Sequence, residues 1–285
     1  MNAKQSLKPR SRDGSGFDAV TERAVEVWSA TATTRDCDWI ACEAPVALIY
    51  NGISHAVMMA SPLDLEAFAI GFSLTEGIVS SAGEIYSIDI GGNERDGIEV
   101  ALDISAKCFA GLKERRRTLA GRTGCGICGA ESLEQIRPSL SPVQSDLALS
   151  HATIESACRK LRGHQPLQSK SGGTHGAAWC LSDGELFEVC EDVGRHNALD
   201  KLIGKLAKRG LLEDQQALQG FLLISSRASY EIVIKAARAG IAVVVAMSAP
   251  TSLAIDVAED VGITLLGFAR ADRHVVYANG RRIVD

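Results

Sequence analysis

The sequence predicts an α/β protein with a smaller N-terminal α+β domain and a C-terminal α/β domain. Two observations lead there. From Phe221 onward, the continuous apolar runs "FLLIS", "IAVVVAM" and "ITLLGFA" alternate with the amphipathic stretches "SYEIVIKAARAG" and "SLAIDVAEDVG". That alternation is the pattern of parallel strands covered on both faces by helices. Before residue 140, apolar strands instead flank turn-forming dipeptides and are interleaved with helices. A chain of 285 residues has room for one large domain or two ordinary ones. We divide it as residues 25–140 and 141–285, after a flexible tail over residues 1–24.

The tail is clearest in "MNAKQSLKPRSRDGSG", which is polar, basic and without apolar periodicity. From Glu43, "EAPVALIYNGISHAVMMAS" reads as two strands hinged on Asn51-Gly52, a dipeptide suited to a tight hairpin turn. A helix follows, with Ser61 as its expected cap, Pro62 at its first position, and Asp64 and Glu66 in its first turn. "EIYSIDI" and "IEVALDI" flank "GGNERDG" as a second hairpin, and Ala106 to Leu119 reads as a helix with Lys113, Glu114 and Arg115 to Arg117 on a solvated face. The Pro- and Ser-containing "RPSLSPVQSD" reads as a linker. Beyond it the sequence predicts a helix from about Thr153, two strands either side of Asp183-Gly184, and the alternating segment already described.

Composition excludes several classes of partner. The net charge of -5 gives no global basic field of the kind that drives nucleic-acid binding. The most apolar run, "GIAVVVAM", falls far short of the roughly 20 residues of a membrane span. Eight cysteines are too sparse for a disulfide scaffold, and the N-terminal stretch has no apolar export segment, which together lead us to expect a reducing cytoplasm.

Three stretches carry chemistry. The first is "GRTGCGICGAESL", in which Cys125 and Cys128 form the chain's single Cys-x-x-Cys. A structural zinc site usually needs four ligands, and the remaining cysteines do not supply a second pair, so no metal is expected. A zinc-dependent base deaminase requires His-x-Glu with Pro-Cys-x-x-Cys. No histidine here has Glu two places on, and Gly124 precedes Cys125. The surrounding glycines, Arg122 and a helix start expected near Ala130 favour a thiolate nucleophile on a pliable loop, able to carry persulfide sulfur. A thioredoxin-like disulfide switch is the main rival.

The second stretch is spread over the ends of the last strands: Ser225, Ser226 and Arg227 in "ISSRAS", Ser248, Thr251 and Ser252 in "MSAPTS", and Arg270 and Arg273 in "GFARADR". In an open α/β sheet, ligands bind beyond the carboxyl ends of the strands, and arginine suits bidentate phosphate contacts. These residues point to a phosphorylated ligand, although helix capping accounts for Ser252 alone. Neither a P-loop nor a dinucleotide fingerprint is present, so the ligand is not a routine NTP or NAD. The third stretch pairs "GGTHGAAWC", with His175, and "EDVGRHNALDKLIG", with Asp192, Arg195, His196, Asn197 and Asp200. Such density lines a pocket or caps a helix, and the residues alone leave both open.

Taken in order, "GFSLTEGI", "RTGCGICG", "GGTHGAAWC", "EDVGRHNALDKLIG", "SSRASYEIVIKAARAGI" and "APTSLAIDVAEDVGITLLGFAR" resemble the formate dehydrogenase accessory sulfurtransferases, the FdhD family, from roughly Glu43 to Ile283. The resemblance implies a sulfurtransferase that receives persulfide sulfur from a cysteine desulfurase. It passes that sulfur to bis-molybdopterin guanine dinucleotide, carrying molybdenum or tungsten, for formate dehydrogenase. By motif, Cys125 corresponds to the persulfide-bearing cysteine and Cys128 to its partner. Phe268, Ala269, Arg270, Ala271, Asp272 and Arg273 correspond to the cofactor-binding stretch, with Ser225, Ser226, Arg227, Ser248, His175 and His196 placed around it. The family also implies a three-layer, cytidine-deaminase-like C-terminal fold without zinc ligands, and a homodimer. Gly176 stands where the family pattern leads us to expect Ala. A non-catalytic cofactor chaperone and a thiol-disulfide oxidoreductase are the competing functions.

Overall fold

The structure, a computed structural model, describes residues 17–93, 96–120, 140–213 and 219–285. Cys125, Cys128, Arg122, the helix start expected near Ala130 and the tail from Met1 to Gly16 lie outside the described residues.

The N-terminal part is a four-stranded sheet in the order β4-β3-β6-β5, formed by β3 (Ala44–Tyr50), β4 (Ile53–Ala60), β5 (Ile85–Asn93) and β6 (Gly97–Ile104). Both expected hairpins are present, and β3 also runs parallel to β6. Asn51 and Gly52 have φ of 46° and 79°, as a two-residue turn with both central residues left-handed requires. The Asn51 carboxamide also exchanges hydrogen bonds with the Ile104 backbone at 3.1 and 2.9 Å, tying the turn to the end of β6. Strand alternation puts Val46, Leu48 and Tyr50 on the inner face with Ile98, Val100 and Leu102, all buried. Helix α1 (Leu65–Thr75) and helix α2 (Ala106–Ala120) contribute Phe68, Phe72 and Leu112 to the same core.

Two local expectations are corrected and a third is met. Helix α1 starts at Leu65, with Asp64 as its N-cap residue at φ 53°, so neither Ser61 nor Pro62 begins it. Ser61 is instead tied to the other half of the molecule, as described below. Strand β1 (Val20–Trp28) begins inside the stretch read as tail and pairs with β2 (Thr33–Ala41) in a long hairpin. This hairpin escaped the sequence reading because most of both strands is exposed, leaving no alternating apolar face to find. Only its base is anchored: Ala19 and Val20 pack with Leu63 and Leu167, and Lys170 lies 3.2 Å from the Trp39 ring centroid. The helix expected from about Thr153 is present as α3 (His151–Leu161), capped by Ser150, whose hydroxyl accepts from the Thr153 amide.

The second sheet has the order β13-β12-β11-β10-β8-β9. The alternating segment supplies β10 (Gly220–Ile224), α6 (Tyr230–Arg238), β11 (Val243–Ala246), α7 (Ser252–Val261) and β12 (Thr264–Gly267). Its strands are parallel and every residue in them is buried, as expected. The hairpin of β8 (His175–Leu181) and β9 (Leu186–Asp192) adds antiparallel beside β10, and β13 (Val275–Ala278) adds antiparallel beside β12. A short helix α4 (Pro166–Ser171) precedes β8, helix α5 (Arg195–Lys208) follows β9, and β7 (Leu149–Ser150) pairs with β14 (Ile283–Val284). No helix among the described residues is long and apolar enough to cross a membrane.

The two sheets meet where α1 crosses α5. A Cβ on Gly71 would come 1.7 Å from the Asp200 carbonyl oxygen, and one on Gly204 would come 1.8 Å from that of Ala67. The backbones therefore touch, and only glycine fits. Beside the crossing, fully buried Lys201 reaches the Asp192 carboxylate at 2.6 Å and the Ser61 carbonyl at 2.9 Å. Asp192 also accepts from the amides of Ser61 and Gly194 and from the Asn197 carboxamide, which in turn donates to the Met59 carbonyl. A second buried cluster joins Lys235 on α6 to Asp200 at 3.0 Å, Thr75 at 2.9 Å and Glu76 at 2.9 Å.

Removing one partner of a buried ion pair leaves the other uncompensated and typically costs about 3–5 kcal/mol. We expect Lys201→Met to lose stability on that scale in urea denaturation. A loss below about 1 kcal/mol would mean that the amide donors alone satisfy Asp192.

Candidate functional site

The parallel pairing aligns Ile224 with Ala246 and Val245 with Leu266, so β10, β11 and β12 finish side by side. Beyond those ends stand Ser225, Ser226 and Arg227, then Met247 and Ser248, then Phe268 to Arg273. The antiparallel hairpin brings in the third stretch. β8 begins and β9 finishes at this same end, because Ile224 pairs with Ala177 and His175 with Asp192. Helix α5 starts immediately after, presenting Arg195 and His196. One edge of one sheet thus gathers the strand-end residues of the second stretch with His175, Arg195 and His196 of the third.

Specific bonds hold this edge together. Ser225 and Gly176 exchange hydrogen bonds, the Ser225 amide donating to the Gly176 carbonyl at 2.9 Å and the Gly176 amide donating to Ser225 Oγ at 2.8 Å. The amides of Phe268 and Ala269 donate to the carbonyls of Ser248 and Ala246, both at 3.1 Å. Phe268 has φ of 51° and is 41% exposed; a bulky residue in the left-handed region is strained and is held there by its surroundings. The Arg270 guanidinium donates to the carbonyls of Met247 and Ala269, and its amide closes a turn onto the Arg273 carbonyl at 2.7 Å. Helix α3 supports this loop from outside: Arg159 donates to the Ala271 carbonyl at 2.9 Å, and the His151 and His274 rings stack at 4.7 Å. Arg227, Arg270, Ala271, Asp272 and Arg273 are exposed.

A cleft of about 660 Å³ opens beside this edge. His175, Ser225 and Met247 form one wall, and Arg162, Gln165, Gln168, Ser169 and the Gly172–Thr174 turn form the rest. The turn is fixed by Glu191, a buried carboxylate that accepts from the Leu167 and Gln168 amides at 2.9 and 2.7 Å and from the Thr174 hydroxyl at 3.0 Å. Burial raises the Glu191 pKa, against these three donors. The sequence reading missed Arg162, Gln165 and the α4 wall, and the only signal near them was the Gly172-Gly173 pair.

The residues of "EDVGRHNALDKLIG" divide into two groups. Asp192, Asn197 and Asp200 face the contact between the two halves, so they neither line the cleft nor merely cap α5. His196 and Arg195 face the strand ends. His196 Nε2 lies 3.2 Å from Ser229 Oγ and 3.0 Å from Glu231, clasping the starts of α5 and α6. Burial, then the charge of Arg195, lowers the His196 pKa against the pull of Glu231. His175 is lowered in the same way, by burial first and Arg195 second, against Asp192. Both rings are therefore neutral near neutral pH. In "MSAPTS", Thr251 caps α7 by accepting from the Ala254 amide, and Ser252 is the first helical residue.

The six described cysteines are free. Burial pushes the Cys158 thiol up to about 11 and the Cys190 thiol up to about 12, and raises Cys180 as well. These three stay protonated at neutral pH and make poor nucleophiles.

Comparison with known proteins agrees with this architecture. Residues 41–284 match the model of the FdhD/NarQ family, and the chain belongs to that family. A sulfur carrier protein FdhD from Cupriavidus necator is 52% identical over 260 residues, covering 91% of this chain and 88% of its own. A crystal structure from Desulfotalea psychrophila, described as a formate dehydrogenase accessory protein, superposes with a TM-score of 0.73 at 24% identity. The match covers 93% of this chain and 100% of that one, and it shows that the fold is shared.

The lowered His175 pKa predicts a pH dependence with a definite sign. The unfolded chain binds the proton more readily than the folded one. The stabilising contribution is therefore present above the ordinary value of 6.5 and is lost as pH falls through the folded value. Wild-type protein should lose more stability than His175→Gln between about pH 7 and pH 5. Equal losses in thermal melts of the two proteins would reject the assignment.

Proposed function

We propose that this chain is a sulfurtransferase in formate dehydrogenase maturation. It takes persulfide sulfur from a cysteine desulfurase onto Cys125 and passes it to bis-molybdopterin guanine dinucleotide, carrying molybdenum or tungsten, bound beyond the strand ends. The observation that carries the reading is the meeting of exposed Arg227, Arg270 and Arg273, the exposed Phe268 ring and a polar cleft at one sheet edge. Membership of the FdhD/NarQ family and likeness to a named sulfur carrier support it.

The parts have distinct tasks. Arginines at the rim suit the pyrophosphate groups of a dinucleotide through charge-assisted hydrogen bonds. An exposed aromatic ring held by a strained backbone offers a stacking face to a planar heterocycle. Sulfur loading is an exchange: the Cys125 thiolate attacks the outer sulfur of the desulfurase persulfide, forming a new S–S bond as the desulfurase thiolate leaves. The buried thiols of Cys158, Cys180 and Cys190 are poorly suited to that attack, and the motif match, rather than exposure alone, favours the Cys-x-x-Cys pair over Cys37, Cys42 and Cys108. The Cys128 thiolate then attacks the inner sulfur of the Cys125 persulfide, so the outer sulfur leaves as sulfide toward the cofactor and a Cys125-Cys128 disulfide forms, which a dithiol reductant reopens before the next turn. The cytidine-deaminase-like comparison for the C-terminal sheet belongs to the same proposal, with the rim arginines in place of zinc chemistry.

Two measurements test it. Radiolabelled sulfur supplied through a desulfurase should remain on Cys128→Ala protein and be missing from Cys125→Ala protein; reversed labels would make Cys128 the carrier. If wild-type protein gains no sulfur, a cofactor chaperone replaces the sulfurtransferase, and cycling of a Cys125-Cys128 disulfide with a dithiol substrate without any gain of sulfur would indicate an oxidoreductase. Arg270→Ala with Arg273→Ala should weaken guanine nucleotide binding tenfold or more, since each charged hydrogen bond contributes roughly 1.5–3 kcal/mol. Unchanged calorimetric affinity would reject that placement.

A further inference from the structure

We propose that a groove on the N-terminal half, walled by Tyr86 and by Phe109 and Lys113 of α2, is where the protein donor of the persulfide docks, through an acidic surface bearing an apolar side chain. This rests on the sulfurtransferase reading given above and adds the face that receives the donor.

The groove, about 590 Å³, lies between the β5-β6 hairpin and the first turns of α2. Ile85 pairs with Ile104 and Ser87 with Asp103, so the ladder shifts register at Tyr86. A bulge of this kind re-aims the side chain it carries, and Tyr86 stands 70% exposed. On the helix side, the partly buried Phe109 ring carries Lys113 Nζ at 4.2 Å from its centroid. Aromatic residues are enriched in protein interfaces, where an exposed tyrosine serves as an anchor.

Charge decides the kind of partner. Helix α2 sets Lys107, Lys113 and Arg115 to Arg117 against Glu114 alone, in a chain whose net charge is -5. The acid of the groove, Asp103, accepts from Ser87 Oγ at 3.0 Å. A basic face on an acidic protein steers an acidic partner toward it.

Position in the chain decides why that partner is a sulfur donor. Helix α2 ends at Ala120 and Cys125 follows by five residues, a span of at most about 18 Å. Lys113 lies about 10 Å back along the helix. A standard interface covers about 800 Å² on each partner, roughly 30 Å across, so a donor seated in the groove has Cys125 within one interface width. Leu140, where the described chain resumes, packs against the core of the six-stranded sheet. Cys125 is thus linked to the groove on one side and to the half bearing the strand-end site on the other.

Sulfur loading of the full chain by two donors tests the assignment: a cysteine desulfurase from the same organism supplied with cysteine, and glutathione persulfide, which needs no docking face. Tyr86→Ala with Lys113→Glu should slow loading from the desulfurase about tenfold at sub-saturating concentration and leave loading from glutathione persulfide unchanged. Both side chains are exposed, so its melt should match wild type. Lys113→Arg, which keeps the charge, should load at the wild-type rate. An equal loss with both donors, or none with the desulfurase, overturns the proposal. GDP or single-stranded RNA affinity lost in the double variant while desulfurase loading stays intact gives the groove to that ligand instead. Wild-type loading by glutathione persulfide alone overturns the docking face and leaves the sulfur-carrying reading; loading by neither donor overturns both.

Discussion

The contact on which the rest of the molecule depends is the crossing of α1 and α5. Two glycines let the backbones touch, and buried Lys201 and Asp192 lock the contact beside them. Close approach leaves no room for adaptable side chains, so the relative placement of the two sheets is set by backbone geometry. The ion pair adds direction. Asp192 meets donors from the Ser61, Gly194 and Asn197 groups as well as Lys201, and a carboxylate so fully matched tolerates only one arrangement of its neighbours.

Asp192 is also the last residue of β9 and pairs with His175 at the mouth of the cleft. The residue that anchors one half of the protein to the other therefore also positions a wall of the candidate site. The opposite wall depends on Glu191, its neighbour in sequence, whose carboxylate points the other way to hold α4 and the Thr174 turn. Alternation along a strand sends consecutive side chains to opposite faces. Two adjacent acids thus serve two different structures.

Much of this was legible in the sequence because its signals were local. Apolar runs of strand length, Asn51-Gly52 and the alternation after Phe221 state their structures within a few residues, and the strand ends follow from the alternation. What was not legible depends on pairing at a distance. Nothing local says that β8 and β9 insert antiparallel beside β10, the step that carries His175 to Ser225. Ser61 read as a cap because its local context, with Pro62 and Asp64, imitates a helix start; its amide and hydroxyl instead serve Asp192 and Val193 across the contact. The β1-β2 hairpin, mostly exposed, lacks the apolar period that reveals a strand. Gln165 is a polar residue that no local pattern marks, and its carboxamide lies in the space that a Cβ on Gly176 would crowd.

The crossing also has a consequence for biosynthesis. The N-terminal sheet is complete in the chain at Ile104, but the outer face of α1, with Gly71 and Thr75, packs against Asp200, Gly204 and Lys235. On a ribosome adding roughly 5–20 residues per second, that face stays open for on the order of ten seconds. During this interval α1 presents a smooth glycine-bearing surface before its helical partner has been made. The nascent protein is most open to wrong association then, and the first event that closes the surface is the emergence of α5.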